Sequence, residues 1–182
     1  MSTAPLVAES ALTPSLVTER IRYVMNNVQA LSKEVGVEYK SPDMDAVGGK
    51  WGITVYLGGR IDEYADHVSA YLDWNGKLED KPTDVCFLLR VVNQSDATKS
   101  KAWGGPQEKW APPANNTAYG CHNFIPTATL LNPTKGFLVD GRVIFEAEIT
   151  KSTGTSSSRV DEMQEAPVTM CRDSKALLEV CQ

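Results

Sequence analysis

Lys50-Trp51-Gly52-Ile53-Thr54-Val55-Tyr56-Leu57 is the stretch that decides the fold class. Trp51, Ile53, Val55 and Leu57 share one parity; Gly52, Thr54 and Tyr56 share the other. Side chains alternate across a strand, so this spacing predicts a half-buried strand with Trp51 in the interior. Gly48-Gly49 before it and Gly58-Gly59 after it punctuate the chain as turns. Outward from there the logic repeats. Val68, Ala70, Leu72 and Trp74 form one row against Ser69, Tyr71 and Asp73. Phe87, Leu89 and Val91 form the next, ending at Asn93. Val143, Phe145, Ala147 and Ile149 alternate with Ile144, Glu146, Glu148 and Thr150, directly after the tight-turn pair Asp140-Gly141. Several short strands separated by Gly, Pro and Asn, with no long amphipathic helix, predict an all-β antiparallel sandwich or barrel.

The remaining segments set the expected boundaries. Residues 1–18 are small, polar and aperiodic, and read as a flexible leader. Residues 20–30 are extended in pattern but noisy. Residues 99–118 mix Lys, Gly, Pro and Asn with Trp103 and Trp110, and read as a long loop with at most one short strand. Residues 151–160 are rich in Ser and Thr. Pro167–Met170 is a candidate last strand, and Asp173 a candidate cap for a short helix through Val180. The expected organisation is a leader over 1–18, one domain over 19–172, and a short helix or linker over 173–182.

Charge narrows the function. Eighteen basic against 23 acidic residues give a net charge of −5 over 182 residues, which disfavours nucleic acid as a partner. The longest apolar run is Val85-Cys86-Phe87-Leu88-Leu89, far short of a membrane span. No secretory or transit pattern opens the chain, and Cys86, Cys121, Cys171 and Cys181 show no CxxC spacing. The expectation is a cytoplasmic or nuclear protein with reduced thiols. Catalysis has little to draw on. His122 adjoins Cys121, but neighbours on a strand point to opposite faces and cannot converge on one metal or proton. No nucleotide-binding, hydrolase-elbow or zinc-protease motif is present. No enzyme activity, cofactor or metal is expected.

Aromatics in polar company are the remaining signal. Tyr71 lies on the parity of Ser69 and Asp73, and Trp110 and Tyr119 flank Pro112-Pro113. Two readings stand. They cover the edges of the core, or they anchor a shallow peptide groove from a solvated face.

Six stretches in order carry a family resemblance: Asn26-Asn27-Val28, Val47-Gly48-Gly49-Lys50-Trp51-Gly52-Ile53, Val68-Ser69-Ala70-Tyr71-Leu72, Phe87-Leu88-Leu89-Arg90-Val91-Val92-Asn93, Tyr119-Gly120-Cys121-His122-Asn123-Phe124-Ile125, and Gly136-Phe137-Leu138-Val139-Asp140-Gly141. Over roughly residues 20–150 the chain resembles the MATH (meprin and TRAF homology) domain, nearest the branch found in MATH-BTB ubiquitin-ligase adaptors. The resemblance implies an eight-stranded antiparallel TRAF-like β-sandwich with a short C-terminal helix. It implies binding of short extended peptide motifs of partner proteins, recruited to a cullin-type ubiquitin ligase through a BTB domain outside these 182 residues. A MATH-only scaffold and an accessory domain of a deubiquitinating enzyme are the alternatives. The peptide-binding positions it implies are Tyr71, Phe87, Trp110, Ala118, Tyr119 and Cys121. Cys121 stands where a large aromatic is usual, and Ala118 where an acidic residue is usual. Phe87 shares parity with Leu89 and Val91, which also makes it part of the core. With the dimerising BTB part missing, a monomer is expected.

Overall fold

The structure is a computed structural model that describes residues 15–152. Its strands are β1 (Leu16–Met25), β2 (Glu38–Lys40), β3 (Met44–Ala46), β4 (Gly49–Tyr56), β5 (His67–Trp74), β6 (Val85–Val91), β7 (Lys101–Lys109), β8 (Ala118–Pro126) and β9 (Val143–Ser152), with one short helix, α1 (Thr127–Leu131). They form two antiparallel sheets. One runs β1-β9-β6-β7; the other runs β2-β4-β5-β8, with β3 also paired to β4. β2 pairs with residues 54–56 of β4 and β3 with residues 49–51, so the two short segments share one edge as an interrupted strand. Counted that way, the sandwich has the eight positions expected from the sequence.

The expected apolar rows face inward. Trp51, Ile53, Val55, Val68, Leu72, Phe87, Leu89, Phe145 and Ile149 are all buried between the sheets. Trp51 is the hub of an indole cluster. It meets Trp74 edge-on at 5.2 Å and Trp110 at 5.0 Å. Each of these rings also finds a carbonyl: Trp51 Nε1 donates to Ala46, Trp74 Nε1 to Lys77 and Trp110 Nε1 to Leu72. A buried indole N–H needs such a partner, and these three have one.

Two expected boundaries change. β1 begins at Leu16, and Leu16–Thr18 pair with Thr150–Ser152, so the end of the expected leader belongs to the sandwich. The expected loop over 99–118 holds a nine-residue strand, β7. Its register against β6 shifts between Cys86 and Phe87, which hid the alternation. The expected strand at Pro167–Met170 and helix at 173–180 lie outside the described residues.

The two outer faces differ. On the first sheet, Arg20, Arg22 and Arg90 form a cross-strand network with Glu146 and Glu148. On the second, Thr54, Ser69 and Tyr71 are buried although they face outward. The segment after β4 covers Ser69 and Tyr71. Gly59 has φ +81°, and a Cβ there would run into the Tyr64 carbonyl, so glycine lets the chain fold back over the sheet. Arg60 N–H then donates to Ser69 Oγ at 3.0 Å.

Candidate functional site

β7 and β8 end their respective sheets on the same side of the sandwich, and among the described residues neither pairs further. Three aromatic rings meet in the opening between them. Phe87 lies 5.5 Å from Trp103 and 6.0 Å from Tyr119, and Trp103 lies 5.6 Å from Tyr119. Phe87 is the buried floor; Trp103 and Tyr119 are half-buried walls. Trp103 is opposite Leu89 on β6, which gives it the inward parity. Burial, and after it the charge of Glu108, raises the Tyr119 phenol above its ordinary value, so its hydroxyl stays protonated and able to donate.

The sequence-predicted site residues separate into three places. Phe87 and Tyr119 come together, and Ala118 begins the same strand, half-buried, its N–H held by Asn116 Oδ1 at 2.9 Å. Cys121 faces inward opposite Ala70 and is 5% exposed. Trp110, expected on a solvated face, is 1% exposed within the indole cluster. The physical reason is its place just past the end of β7, where its N–H donates to the Val85 carbonyl at 2.8 Å and turns the ring inward.

Tyr71 is on the opposite face of β5, and it too is covered, at 4% exposure. Its hydroxyl and His122 Nδ1 are hydrogen-bonded at 2.8 Å, and Arg60 lies over its ring. Burial lowers the His122 pKa, with Arg60 adding to the effect, so the imidazole is neutral near pH 7. Asp73 lies further along that face. Burial pushes its pKa up to about 6, against the hydrogen bond that Thr54 Oγ1 donates at 2.5 Å.

Sequence reasoning missed Trp103. The signal that singled out Trp110, an aromatic in polar company, applies equally to Trp103 between Lys101 and Gly104-Gly105. No group of three or more His, Cys, Asp or Glu among the described residues is arranged to hold a metal ion.

Two terminal strands with an aromatic opening between them define a β-sandwich interaction module. The profile of the MATH-domain family matches residues 21–149, and the chain belongs to that family, whose members are protein-interaction modules that bind partner proteins. The fold is also similar to that of TRAF5 from Notothenia coriiceps, with a TM-score of 0.54 at 17% identity over 80% of this chain and 77% of that one. Among curated proteins, the chain is 28% identical over 148 residues to "Probable inactive serine/threonine-protein kinase fnkC" of Dictyostelium discoideum, covering 78% of this chain and 11% of that protein. It is 30% identical over 118 residues to ubiquitin C-terminal hydrolase 13 of Arabidopsis thaliana, covering 59% of this chain and 9% of that protein. The chain thus spans about a tenth of the length of these relatives.

Proposed function

We propose that this domain binds an extended peptide segment of a partner protein along the free edge of β8, seating an apolar side chain on Phe87, Trp103 and Tyr119. The observation that carries the reading is this ring cluster, half-open to solvent beside an unpaired strand edge. A strand edge supplies backbone hydrogen bonds, and a neighbouring pocket supplies selectivity. Half-buried Trp and Tyr are the usual anchors of such contacts. Of the sequence-predicted positions, Phe87, Ala118 and Tyr119 stay in the proposed site, and Trp103 replaces Trp110.

Panning a displayed library of random peptides on the full chain, followed by calorimetry on a selected peptide, tests the reading. Trp103→Ala and Tyr119→Ala should each weaken binding by on the order of 2 kcal/mol while the fold is kept. Unchanged affinity in both variants, each with native circular dichroism, would remove the groove.

The cellular setting is a further proposal. The sequence resemblance favours recruitment of substrates to a cullin-type ubiquitin ligase. The similarity to two ubiquitin C-terminal hydrolases favours a second reading, an accessory domain beside a deubiquitinating protease. Sequencing the transcript on both sides of these residues separates them: an adjoining BTB domain supports the first, and an adjoining hydrolase domain the second.

A further inference from the structure

The turn between β3 and β4 holds a backbone conformation that its first residue resists. Ala46 and Gly49 are paired, so Val47 and Gly48 are the whole turn. Both have positive φ, +44° at Val47 and +80° at Gly48. A two-residue hairpin turn of that kind takes Asn, Asp or Gly readily, and a β-branched side chain only under strain. Such strain persists where the side chain has another task. Val47 is half-buried and lines a recess of about 400 Å³ at the end of the sandwich where β4 begins and β5 and β9 finish.

Trp74 gives the recess an aromatic wall. Gly49 and Gly76 both approach its ring so closely that a Cβ on either would come within 2.0 Å or 2.3 Å of it. The charges around the recess are unequal. Lys50, Lys77 and Lys151 line it with one carboxylate, Asp80. Lys50 is paired with Asp45 at 3.0 Å, and Glu19 is held at the rim by the Val47 N–H. Among the described residues, the lysines in ion pairs are Lys40, Lys50 and Lys99, so Lys77 and Lys151 form none. Leu78, next to Lys77, and Val17, opposite Lys151, are 45% and 38% exposed. An aromatic wall, exposed aliphatic neighbours and two unpaired ammonium groups fit a segment with both apolar and acidic side chains.

This chain carries such a segment close by. Ser152 ends β9 one residue past Lys151, so the chain leaves the sandwich at the rim of the recess. Residues 153–182 lie outside the described residues. Their sequence runs from Thr153 through Arg159 to Val160-Asp161-Glu162-Met163-Gln164-Glu165, which sets three carboxylates around Val160 and Met163. The seven residues 153–159 span up to about 25 Å when extended, ample for turning back onto a recess that starts at Lys151. A tether of that length gives an effective concentration on the order of millimolar, so modest contacts suffice. We propose that residues 160–165 dock in this recess, with Met163 against Val47 and Trp74 and the flanking carboxylates on Lys77 and Lys151. The direction in which the chain leaves the sandwich is then set by the fold. The inference does not depend on the groove at Phe87, Trp103 and Tyr119.

Nitrogen-15 NMR of the full chain tests this, with changes on one side read on the other. Asp161→Lys with Glu162→Lys, and separately Met163→Ser, leave the sandwich sequence intact. Each should move the Trp74 indole N–H and the amides of Gly48, Gly76, Lys77 and Lys151, and leave β8 in place. Raised salt should move the wild-type signals the same way. From the other side, the heteronuclear NOE of residues 160–165 should be high in wild type. It should fall in Lys77→Glu with Lys151→Glu, and recover when those two are combined with Asp161→Lys and Glu162→Lys. Val47→Asn, which suits the turn, should also lower it. Thermal melts establish that each variant is folded. An unmoved Trp74 signal in both tail variants, or an NOE indifferent to the lysine or Val47 changes, overturns the proposal. Effects that vanish on dilution would assign the recess to the segment of a second copy and overturn docking within one chain.

Discussion

Trp110 joins three parts of the core through one side chain. Its ring packs edge-on against Trp51, its Nε1 donates to the Leu72 carbonyl on β5, and its backbone N–H donates to Val85 on β6. Trp110→Ala should therefore destabilise the fold by about 3–5 kcal/mol, the usual cost of deleting a buried aromatic. Urea unfolding of the variant checks this, and a near-wild-type midpoint would return the ring to the surface. Asp73 makes a second prediction at this scale. Its ordinary pKa is 3.8, and burial raises it to about 6 in the fold. Between those values the folded state binds more protons than the unfolded one, so stability contributed here is full below the unfolded value and is lost as pH rises through the folded one. Asp73→Asn keeps an acceptor for Thr54 and removes the titration. The stability difference, wild type minus Asp73→Asn, should fall by on the order of 2 kcal/mol between pH 4 and pH 7.5. His122 shifts the opposite way, but it is present in both proteins, so the difference isolates Asp73. A difference that is flat with pH would show that Asp73 is not desolvated.

The connection from β7 to β8 is held by one ammonium. Lys81 Nζ donates to the carbonyls of Pro113, Ala114 and Asn116 at 3.1–3.2 Å, and Asn116 Oδ1 in turn accepts from the N–H of Ala118. Lys81→Met keeps the stem and removes the charge. It should cost about 1–3 kcal/mol and raise hydrogen exchange at the amides of 114–118 well beyond any change in β9. Equal effects in both places would mean the ammonium is not a local clamp. The elements also explain what the sequence disclosed. β4, β5, β6 and β9 were legible as alternating rows, and they are the four central strands of the two sheets. A central strand meets neighbours on both sides and must bury one whole face, which writes period two into the chain. The terminal strands lack that constraint. Val24 on β1 is 37% exposed on the face opposite Ile21 and Met25, and β7 carries its irregularity at the edge, where bulges concentrate. The site shared this difficulty because two of its three rings, Trp103 and Tyr119, lie on terminal strands. Phe87 was reached through the family resemblance and Tyr119 already as an aromatic in polar company, whereas Trp103 and Trp110 are seven residues apart on either side of a broken register and their parities could not be compared.

At the scale of the molecule, the sandwich has two open sides that are treated differently. On the β7–β8 side the rings remain accessible. On the β1–β3 side the carboxylate of Glu19 accepts a hydrogen bond from the Val47 N–H and ties the two sheets together. That closure depends on the first half of β1, before the stretch matched by the family profile, which begins at residue 21. The same half-strand pairs with the end of β9, where the Thr18 and Thr150 hydroxyls meet at 2.8 Å and Arg20 Nη2 donates to Glu148 at 2.5 Å. Exposed ion pairs of this kind contribute little individually. The backbone ladder and the Glu19 contact contribute more, because each net hydrogen bond is worth about 0.5–1.5 kcal/mol. A fragment of residues 15–152 should therefore be more stable to urea than one of residues 21–149, by on the order of 2 kcal/mol. It should also show a steeper dependence on denaturant, because it buries more surface on folding. Restoring residues 15–20 and 150–152 with Glu19→Gln should recover the ladder but only part of the closure, since the amide oxygen accepts more weakly than a carboxylate. Identical midpoints for the two fragments would show that the ends of β1 and β9 do not stabilise the sandwich, and that residues 21–149 hold it closed unaided.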